Sequence, residues 1–404
     1  MKISIPNRIQ IINFLICISF LCISFRHEIT SICLYLVGFL SLIEIIEKKI
    51  NVLKTKNTVV FFFISYFLVV IIGFINTENF YFGMKDIESK VLFIIGSLII
   101  IANSNHNFNV IKFFKYYILG ITINLAFLIF KGFIKYFDTH LFPSHVNFSI
   151  LMHPTYLSII LSIAIIIIFE YKKKIIRYNF LLYLTLLFLS IGIILTDSKA
   201  GIVTFVLIIL FYLLINILKL QFIKKIILLL LSITIGLILT FQLSKSRITE
   251  LFSDLQTTTQ FSNYTGVYNS SESRIIIWRC TNQVIKENLF LGTGTGDIKD
   301  VLKLQYQKKN YRDGINMNYN THNQFLQILA TFGIILGALL IIFLSKILFN
   351  VFKKKSYFFF LINLIFILNF LFESFLEIKA GLELFILMYI TLSFELFSLE
   401  NENY

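Results

Sequence analysis

Hydrophobic positions in this 404-residue chain are gathered into long apolar runs, separated by shorter polar connections. Roughly 20 apolar residues suffice to cross a bilayer as an α-helix, which bonds its backbone internally in lipid. The runs lie at 9–25, 29–46, 58–76, 88–103, 111–130, 152–170, 178–196, 200–218, 223–243, 322–347, 356–374 and 378–398. The pattern predicts an all-α polytopic membrane protein with about 12 transmembrane helices.

The lysine and arginine residues between the runs predict the orientation. With the N-terminus inside, the inner connections carry 19 of them and the short outer connections carry 7. Because basic residues are enriched in short cytoplasmic connections, both termini are predicted to be cytoplasmic. Deleting the short fourth run would move the basic cluster 172–174 outside, which supports keeping that run. The same bias explains most of the net charge of +14 without any nucleic acid.

Composition agrees with this class of protein. Hydrophobic residues make up 57% of the chain and charged residues only 14%, a composition that soluble domains do not have. Cys17, Cys22 and Cys33 lie in apolar runs and Cys280 in a polar connection, so no disulfide framework is predicted. The first run has no small-residue cleavage site, and we interpret it as a retained helix.

The connection at 244–321, between the ninth and tenth runs, is much longer than the others and is predicted to lie outside. A connection of this length is usually functional or disordered. Residues 271–278 begin a helical pattern, with serines and a glutamate as capping signals. Arg274 and Trp278, four residues apart, share one face of that helix. The connection is therefore predicted to be partly helical.

The stretch GTGTG at 292–296 follows this helical pattern. It follows no strand, which excludes the usual dinucleotide-binding and phosphate-loop interpretations. We interpret the glycines as allowing a close turn. The alternative is that the backbone N–H groups of Gly292 and Gly294 cradle a phosphate.

Two basic residues and one histidine are candidates for chemistry. Lys199 lies in a turn at the outer end of the seventh run. It is either a phosphate ligand or an anchor whose ammonium group snorkels to the membrane surface. Arg274 has the planar fork that suits a phosphate, unless it is only a solvated arginine. His322 lies where the long connection meets an apolar run, and either transfers protons or anchors the helix end.

Other histidines lie near the start of the sixth run. The spacings of Asp138, His140, His145 and His153 fit no usual zinc pattern, so no metal is predicted. His153 precedes Pro154 at the outer end of the run and is a candidate for lining the site. Glu373 and Glu377 are placed near the outer surface without an assigned role.

Three ordered motifs resemble the bacterial O-antigen ligase family, whose polytopic members share a ligase/polymerase core. The matching residues are LTDSKAG at 195–201, Ser273, Arg274, Trp278 and LGTG at 291–294, and HNQFLQ at 322–327 with Gly333. The resemblance spans about residues 150 to 345 and implies a donor glycan linked to undecaprenyl pyrophosphate. It assigns pyrophosphate binding to Lys199 and Arg274 and assistance of acceptor attack to His322. Lys199 departs from the family pattern, which usually has arginine there.

The resemblance also implies a bacterial inner-membrane location, a site facing the periplasm, and no cofactor, ATP or metal. The expected division of the chain is residues 1–150 as N-terminal helices, 151–347 as the ligase core, and 348–404 as C-terminal helices. The further candidates for substrate binding are Arg247, Arg279, Trp278, His153, Asn323, Gly292 and Gly294.

The leading functional hypothesis is a glycosyltransferase that moves a polysaccharide from its lipid carrier to lipid A–core or another glycan acceptor. A polymerase of the same superfamily stays open, because its motifs overlap with those of a ligase. Ligation to protein hydroxyls is a third member of this class. A transporter is less favoured, since the sequence lacks clear repeats and its charge is concentrated in an outer loop. The expected partners are membrane lipid, donor and acceptor, with no nucleic acid.

Overall fold

A computed structural model describes residues 7–50, 57–104, 106, 108–140, 143–217, 270–353 and 356–401. Over these residues the regular structure is helical. The α-helices are α1 (Arg8–Cys22), α2 (His27–Glu47), α3 (Thr58–Ile75), α4 (Phe80–Asn103), α5 (Val110–Thr139), α6 (Pro154–Ile175), α7 (Asn179–Leu195), α8 (Lys199–Ile217), α9 (Ser270–Glu287), α10 (Ile298–Lys308), α11 (Arg312–Met317), α12 (Gln324–Lys353), α13 (Tyr357–Phe370) and α14 (Lys379–Asn401). Two short 3₁₀ helices, His145–Asn147 and Phe375–Glu377, lie in connections.

The helices agree with the apolar runs wherever the structure describes them. Eleven of the twelve runs coincide with a helix, and the ninth, at 223–243, lies outside the described residues. Five of the described helices, α2, α3, α5, α6 and α12, are long and apolar enough to cross a membrane. The chain is thus an all-helical polytopic membrane protein in class, while the count of twelve spans and the orientation stay predictions.

The bundle is built around helices that are buried on all sides. In α6 every residue from Pro154 to Ile168 is buried, and the stretch 382–394 of α14 is buried in the same way. A helix that is apolar all round is expected in the interior of a bundle. Outward-facing phenylalanines such as Phe39, Phe130 and Phe180 stay exposed, which suits contact with lipid chains.

Helices α9, α10 and α11 form a small unit at one end of the bundle. Its own hydrophobic core includes Ile276, Val284, Leu302, Tyr306 and Tyr311. The helix predicted from residue 271 is confirmed, and it begins at Ser270. This unit therefore has enough buried apolar surface to hold α9, and with it Arg274, in a fixed position.

A break in α12 attaches this unit to the bundle. Gly333 has a φ of +68°, and a Cβ atom there would lie 2.2 Å from the Phe290 carbonyl oxygen. At the break, the N–H groups of Thr293 and Gly294 donate to carbonyl oxygens of α12, at 2.9 and 3.0 Å. In return, the Ile334 N–H donates to the Leu289 carbonyl oxygen at 2.8 Å. The backbone groups that the break leaves unpaired are thus satisfied by the glycine-rich turn.

Helix α4 begins at Phe80, earlier than the fourth run at 88–103 suggested. The added turns contain Asp86, and Lys90 follows one turn later; Lys90 is buried and would be costly there without partners. Its Nζ atom lies 2.9 Å from Glu377 Oε2 and 3.4 Å from Asp86 Oδ1, and donates to the Leu376 carbonyl oxygen at 2.6 Å. This pairing ties α4 to the connection between α13 and α14.

We expect Gly333→Ala to destabilise the fold, because alanine is strained at this φ and its Cβ would strike backbone. The cost should be about 2 kcal/mol or more, seen as a lower melting temperature of the purified protein in detergent. Gly337→Ala is the matched control, since its nearest neighbour is a side-chain atom of Leu329 at 3.1 Å. Equal melting temperatures for the two variants would contradict the proposed role of the break.

Candidate active site

A cavity of about 300 Å³ lies where the α9–α11 unit meets the N-terminal ends of α6 and α8. Three of its lining residues, Lys199, Arg274 and His322, are the sequence-predicted catalytic residues. The lining residues are His145, His153, Thr155, Asp197, Ser198, Lys199, Ala200, Ser273, Arg274, Ile277, Asp313, Tyr319 and His322. Segments that are far apart in the chain therefore meet at one site.

His322 is held in a strained turn just before α12. Its φ is +45°, in the left-handed region that residues other than glycine rarely adopt. The backbone N–H donates to Asn320 Oδ1 at 3.1 Å, and the carbonyl oxygen accepts from Trp278 Nε1 at 3.4 Å. Strain of this kind persists where surrounding contacts fix the residue, and it is common at functional sites.

Asn323 starts α12 directly after the histidine. Its Oδ1 accepts from the N–H groups of Phe325 and Leu326, both at 3.0 Å, as an N-cap residue does. Its Nδ2 donates to the Leu371 carbonyl oxygen at 3.1 Å. Asn323 therefore joins the start of α12 to the end of α13, and the position of His322 depends on this joint.

Glu373 links the histidine to the arginine. Its Oε2 lies 3.1 Å from His322 Nδ1, and its Oε1 accepts from Arg274 Nη2 at 2.8 Å. The Arg274 Nε also donates to the Phe372 carbonyl oxygen at 3.3 Å. One carboxylate thus fixes both side chains.

The two members of the His322–Glu373 pair differ in accessibility. The Glu373 side chain is 6% exposed, and the His322 side chain is 24% exposed. Burial raises the pKa of the Glu373 carboxyl, but the hydrogen bond from His322 and the charges of His322 and Arg274 outweigh it, so the pKa lies below its ordinary value. A carboxylate at Nδ1 favours the tautomer with the proton there, which makes Nε2 a proton acceptor.

Lys199 enters the cavity from the turn between α7 and α8. Asp197 adopts a φ of +47°, and Ser198 Oγ accepts from the Gly201 N–H at 3.2 Å. A Cβ atom on Gly201 would lie 1.9 Å from Ser158 Oγ, so glycine is required for α8 to approach α6 this closely. The LTDSKAG motif thus serves both helix packing and the placement of a lysine.

The structure separates the remaining predicted binding residues into groups. His153 lines the cavity, and Trp278 supports the His322 turn from outside it. Arg279 faces another cavity, with Lys308 and Lys309. Arg247 lies outside the described residues.

Gly292 and Gly294 belong to the joint with α12 and do not line the site. The Gly292 N–H donates to the Asn288 carbonyl oxygen at 3.0 Å, and the Gly294 N–H to that of Thr331. Their φ values of +74° and +96° are ones that glycine adopts at no steric cost. Because these N–H groups already have acceptors, the geometry favours the close-turn interpretation over the phosphate cradle.

No metal-ligand cluster of three or more histidine, cysteine or acidic residues occurs among the residues that the structure describes. His145 and His153 have ring centroids 6.5 Å apart in the cavity wall. Asp138 is at the end of α5 and His140 caps its C-terminus.

The sequence alone assigns no role to Glu373, which pairs with His322 and Arg274. It also does not identify Tyr319 and Asp313, which line the cavity. Glu373 follows α13 by three residues and lies 51 positions from His322. The available signal is an acidic residue within the last two positions of a predicted span, because a carboxylate at such a place is costly unless paired.

These features define a class: an all-helical membrane protein with a cavity lined by a lysine, an arginine and a carboxylate-supported histidine at one end of its bundle. Residues 184–342 match the family model described as O-antigen ligase. The match confirms the resemblance to the O-antigen ligase/polymerase superfamily, a group of glycosyltransferase-like ligases and polymerases. It includes Lys199, Arg274 and His322. A comparison with curated proteins gives no match.

We expect Glu373→Gln to be less stable than wild type at neutral pH. A lowered pKa means that the ionised carboxylate stabilises the fold above its ordinary pKa of 4.5 and that this contribution is lost as the pH falls through the folded-state pKa. The difference in melting temperature should therefore shrink below about pH 4.5. Melting curves of the purified full chain between pH 7 and pH 3.5 measure it.

Glu287→Gln, at an exposed position of α9, serves as the control for loss of one negative charge. A stability difference between wild type and Glu373→Gln that stays constant over this pH range would contradict the pairing of Glu373 with His322 and Arg274.

Proposed function

We propose that this protein is a ligase-type glycosyltransferase that transfers a polysaccharide from undecaprenyl pyrophosphate to a lipid A–core acceptor. The reaction takes place at the periplasmic face of the bacterial inner membrane and needs neither ATP nor a metal. The observation that carries the proposal is the shared Glu373 carboxylate, which fixes a histidine and an arginine at a cavity also lined by Lys199.

In the proposed reaction, His322 acts as the general base. Its Nε2 takes the proton from the acceptor hydroxyl while the hydroxyl oxygen bonds to the anomeric carbon of the donor sugar. Glu373 stabilises the imidazolium that results and holds the ring in place, as a carboxylate does behind other catalytic histidines. Glu373 is thus a positioning residue.

The bond that breaks joins the anomeric carbon to a pyrophosphate oxygen, and the electron pair leaves with the pyrophosphate. Arg274 and Lys199 stabilise this departing charge in a partly buried site, where cations are more effective than in water. Pyrophosphate is already a good leaving group, so no activation by ATP is needed. A single direct displacement inverts the anomeric centre.

A polymerase is the second candidate function, because the family model covers both activities. It would use the same base and cations and differ in its acceptor, a lipid-linked repeat instead of lipid A–core. The distinction depends on the product, so the test must identify which carrier-linked glycan accumulates when the protein is missing.

We expect chromosomal deletion to remove the lipopolysaccharide ladder and to leave long carrier-linked chains. Wild type should restore the ladder. Arg274→Ala and His322→Ala should lower transfer by about 100-fold or more, because each removes a group that acts in the transition state. Gel banding and the pool of carrier-linked glycan are measured together.

Lys286→Ala, an exposed position on the same helix as Arg274, is the matched control and should restore the ladder. Arg279 lines a different cavity from Arg274, so Arg279→Ala should retain more activity than Arg274→Ala. Accumulation of single repeats would make the protein a polymerase. Full complementation by His322→Ala at normal expression would refute the proposed base.

We expect Lys199→Arg to retain transfer and Lys199→Met to lose most of it. Arginine keeps the charge and adds a planar fork that can bind two phosphate oxygens, whereas methionine keeps the length without the charge. Initial rates with purified protein and lipid-linked donor measure both variants. Wild-type rates for Lys199→Met would show that Lys199 is a membrane anchor.

A further inference from the structure

A second cavity, of about 290 Å³, lies on the other side of the segment that carries His322. Asn320 and Gln327 of that segment line it, whereas Tyr319 and His322 line the first cavity. The residues that line the second cavity are Phe82, Lys85, Asp86, Ser89, Thr295, Gly296, Ile298, Lys299, Asn320, Gln327, Thr331, Phe332, Glu377 and Ile378. The two cavities therefore share one wall.

The shared wall connects the second cavity to the catalytic histidine by direct hydrogen bonds. Asn320 Oδ1 accepts from the His322 N–H at 3.1 Å. Gln327 Oε1 accepts from Thr321 Oγ1 at 3.0 Å. An occupant of the second cavity that contacts these two amides would lie beside the residues that position His322.

Two lysines face this cavity and have no carboxylate partner within the described ranges. Lys85, on α4, has its Nζ 4.3 Å from the centre of the Tyr81 ring. Lys299, in the first turn of α10, is exposed. Neither forms an ion pair in the part of the chain that the structure describes. Their charges are thus available to an anionic group.

The two acids of the cavity, by contrast, are already paired. Asp86 and Glu377 both contact the buried Lys90 ammonium, at 3.4 and 2.9 Å. Glu377 Oε1 also accepts from Gln324 Nε2 at 3.2 Å. Lys85, Lys90 and Lys299 carry three positive charges, and Asp86 and Glu377 carry two negative charges. The net charge around the cavity is therefore +1, which favours an anionic ligand.

The rest of the lining suits a sugar ring. Asn320, Gln327 and Ser89 supply amide and hydroxyl groups that can bond to sugar hydroxyls. Phe82 and Phe332 supply apolar surface for the ring face. Polar groups that converge on a concave site beside apolar surface are typical of small-ligand sites.

We propose that the second cavity binds an acceptor sugar that carries a phosphate or carboxylate group, with Lys85 and Lys299 as the anion ligands. This inference rests on the proposed function. In a direct displacement, the acceptor hydroxyl attacks from the side opposite the departing pyrophosphate. With the pyrophosphate held by Arg274 and Lys199 in the first cavity, the reacting hydroxyl of the acceptor lies at His322, and its charged sugar extends beyond the His322 wall into the second cavity.

The first test is binding, and it needs no transferase activity. The full-length protein in detergent is titrated with glucose 6-phosphate, with glucose as the neutral control, and binding is followed by ligand NMR. The titrations use an Arg274→Ala background, because this substitution weakens phosphate binding in the first cavity. Adding Lys85→Ala and Lys299→Ala together should weaken binding of glucose 6-phosphate about tenfold, the effect of a lost charge-assisted hydrogen bond.

Lys303→Ala is the matched control, since Lys303 is exposed on the same helix as Lys299 and does not line the cavity. It should leave binding unchanged. Equal binding of glucose and glucose 6-phosphate, or unchanged binding in the double lysine variant, would overturn the site. A melting temperature equal to that of the background confirms that the double variant is folded.

The second test identifies the source of the sugar. In a transfer assay with purified components, the double lysine variant should raise KM for the acceptor about tenfold and leave KM for the donor unchanged. A raised KM for the donor alone would place the anionic sugar on the donor and overturn the acceptor assignment. If no transfer occurs even in wild type, the proposed function fails while the binding result stands.

Discussion

The site depends on one interaction, the buried Glu373 carboxylate shared by His322 and Arg274. A buried carboxylate without partners is costly, and each partner here supplies a charge or hydrogen bond that offsets the cost. The same contacts orient the histidine that we propose as the base toward the cavity and hold an arginine beside it. The carboxylate is stable only with the geometry that also positions His322 and Arg274, and the helix ends that meet at Glu373 supply this geometry.

That requirement is met by well-packed elements around the site. Arg274 comes from a unit with its own hydrophobic core, and His322 comes from a strained turn at the start of α12. The two must keep a fixed separation, since one carboxylate spans them. The exchange of backbone hydrogen bonds at Gly333 fastens the α9–α11 unit to α12 at a second point. A glycine break in a transmembrane helix is acceptable here because protein backbone satisfies the groups that it leaves unpaired.

Much of this fold follows from local sequence pattern, and the central contact does not. Apolar runs predict the helices because bilayer thickness sets their length, and ordered motifs single out Lys199, Arg274 and His322. Glu373 could not be paired in advance, because its partner lies 51 residues away and the connection gives no periodic signal. The predicted fourth run begins later than α4 because the first turns of the helix contain Lys85 and Asp86, and the sequence does not show that Asp86 pairs with the buried Lys90.

Both ion clusters involve the short connection between α13 and α14, and this placement links the two cavities. Glu373 pairs with Arg274 and His322 of the first cavity, and Glu377, four residues later, contacts the lysine behind the second cavity. The segment from Tyr319 to Gln327 runs between them and contacts both through His322 and Gln324. A shift of this connection would move His322 and the second cavity together. Such an arrangement suits a transfer reaction, in which two glycans must be held at once on either side of one proton acceptor.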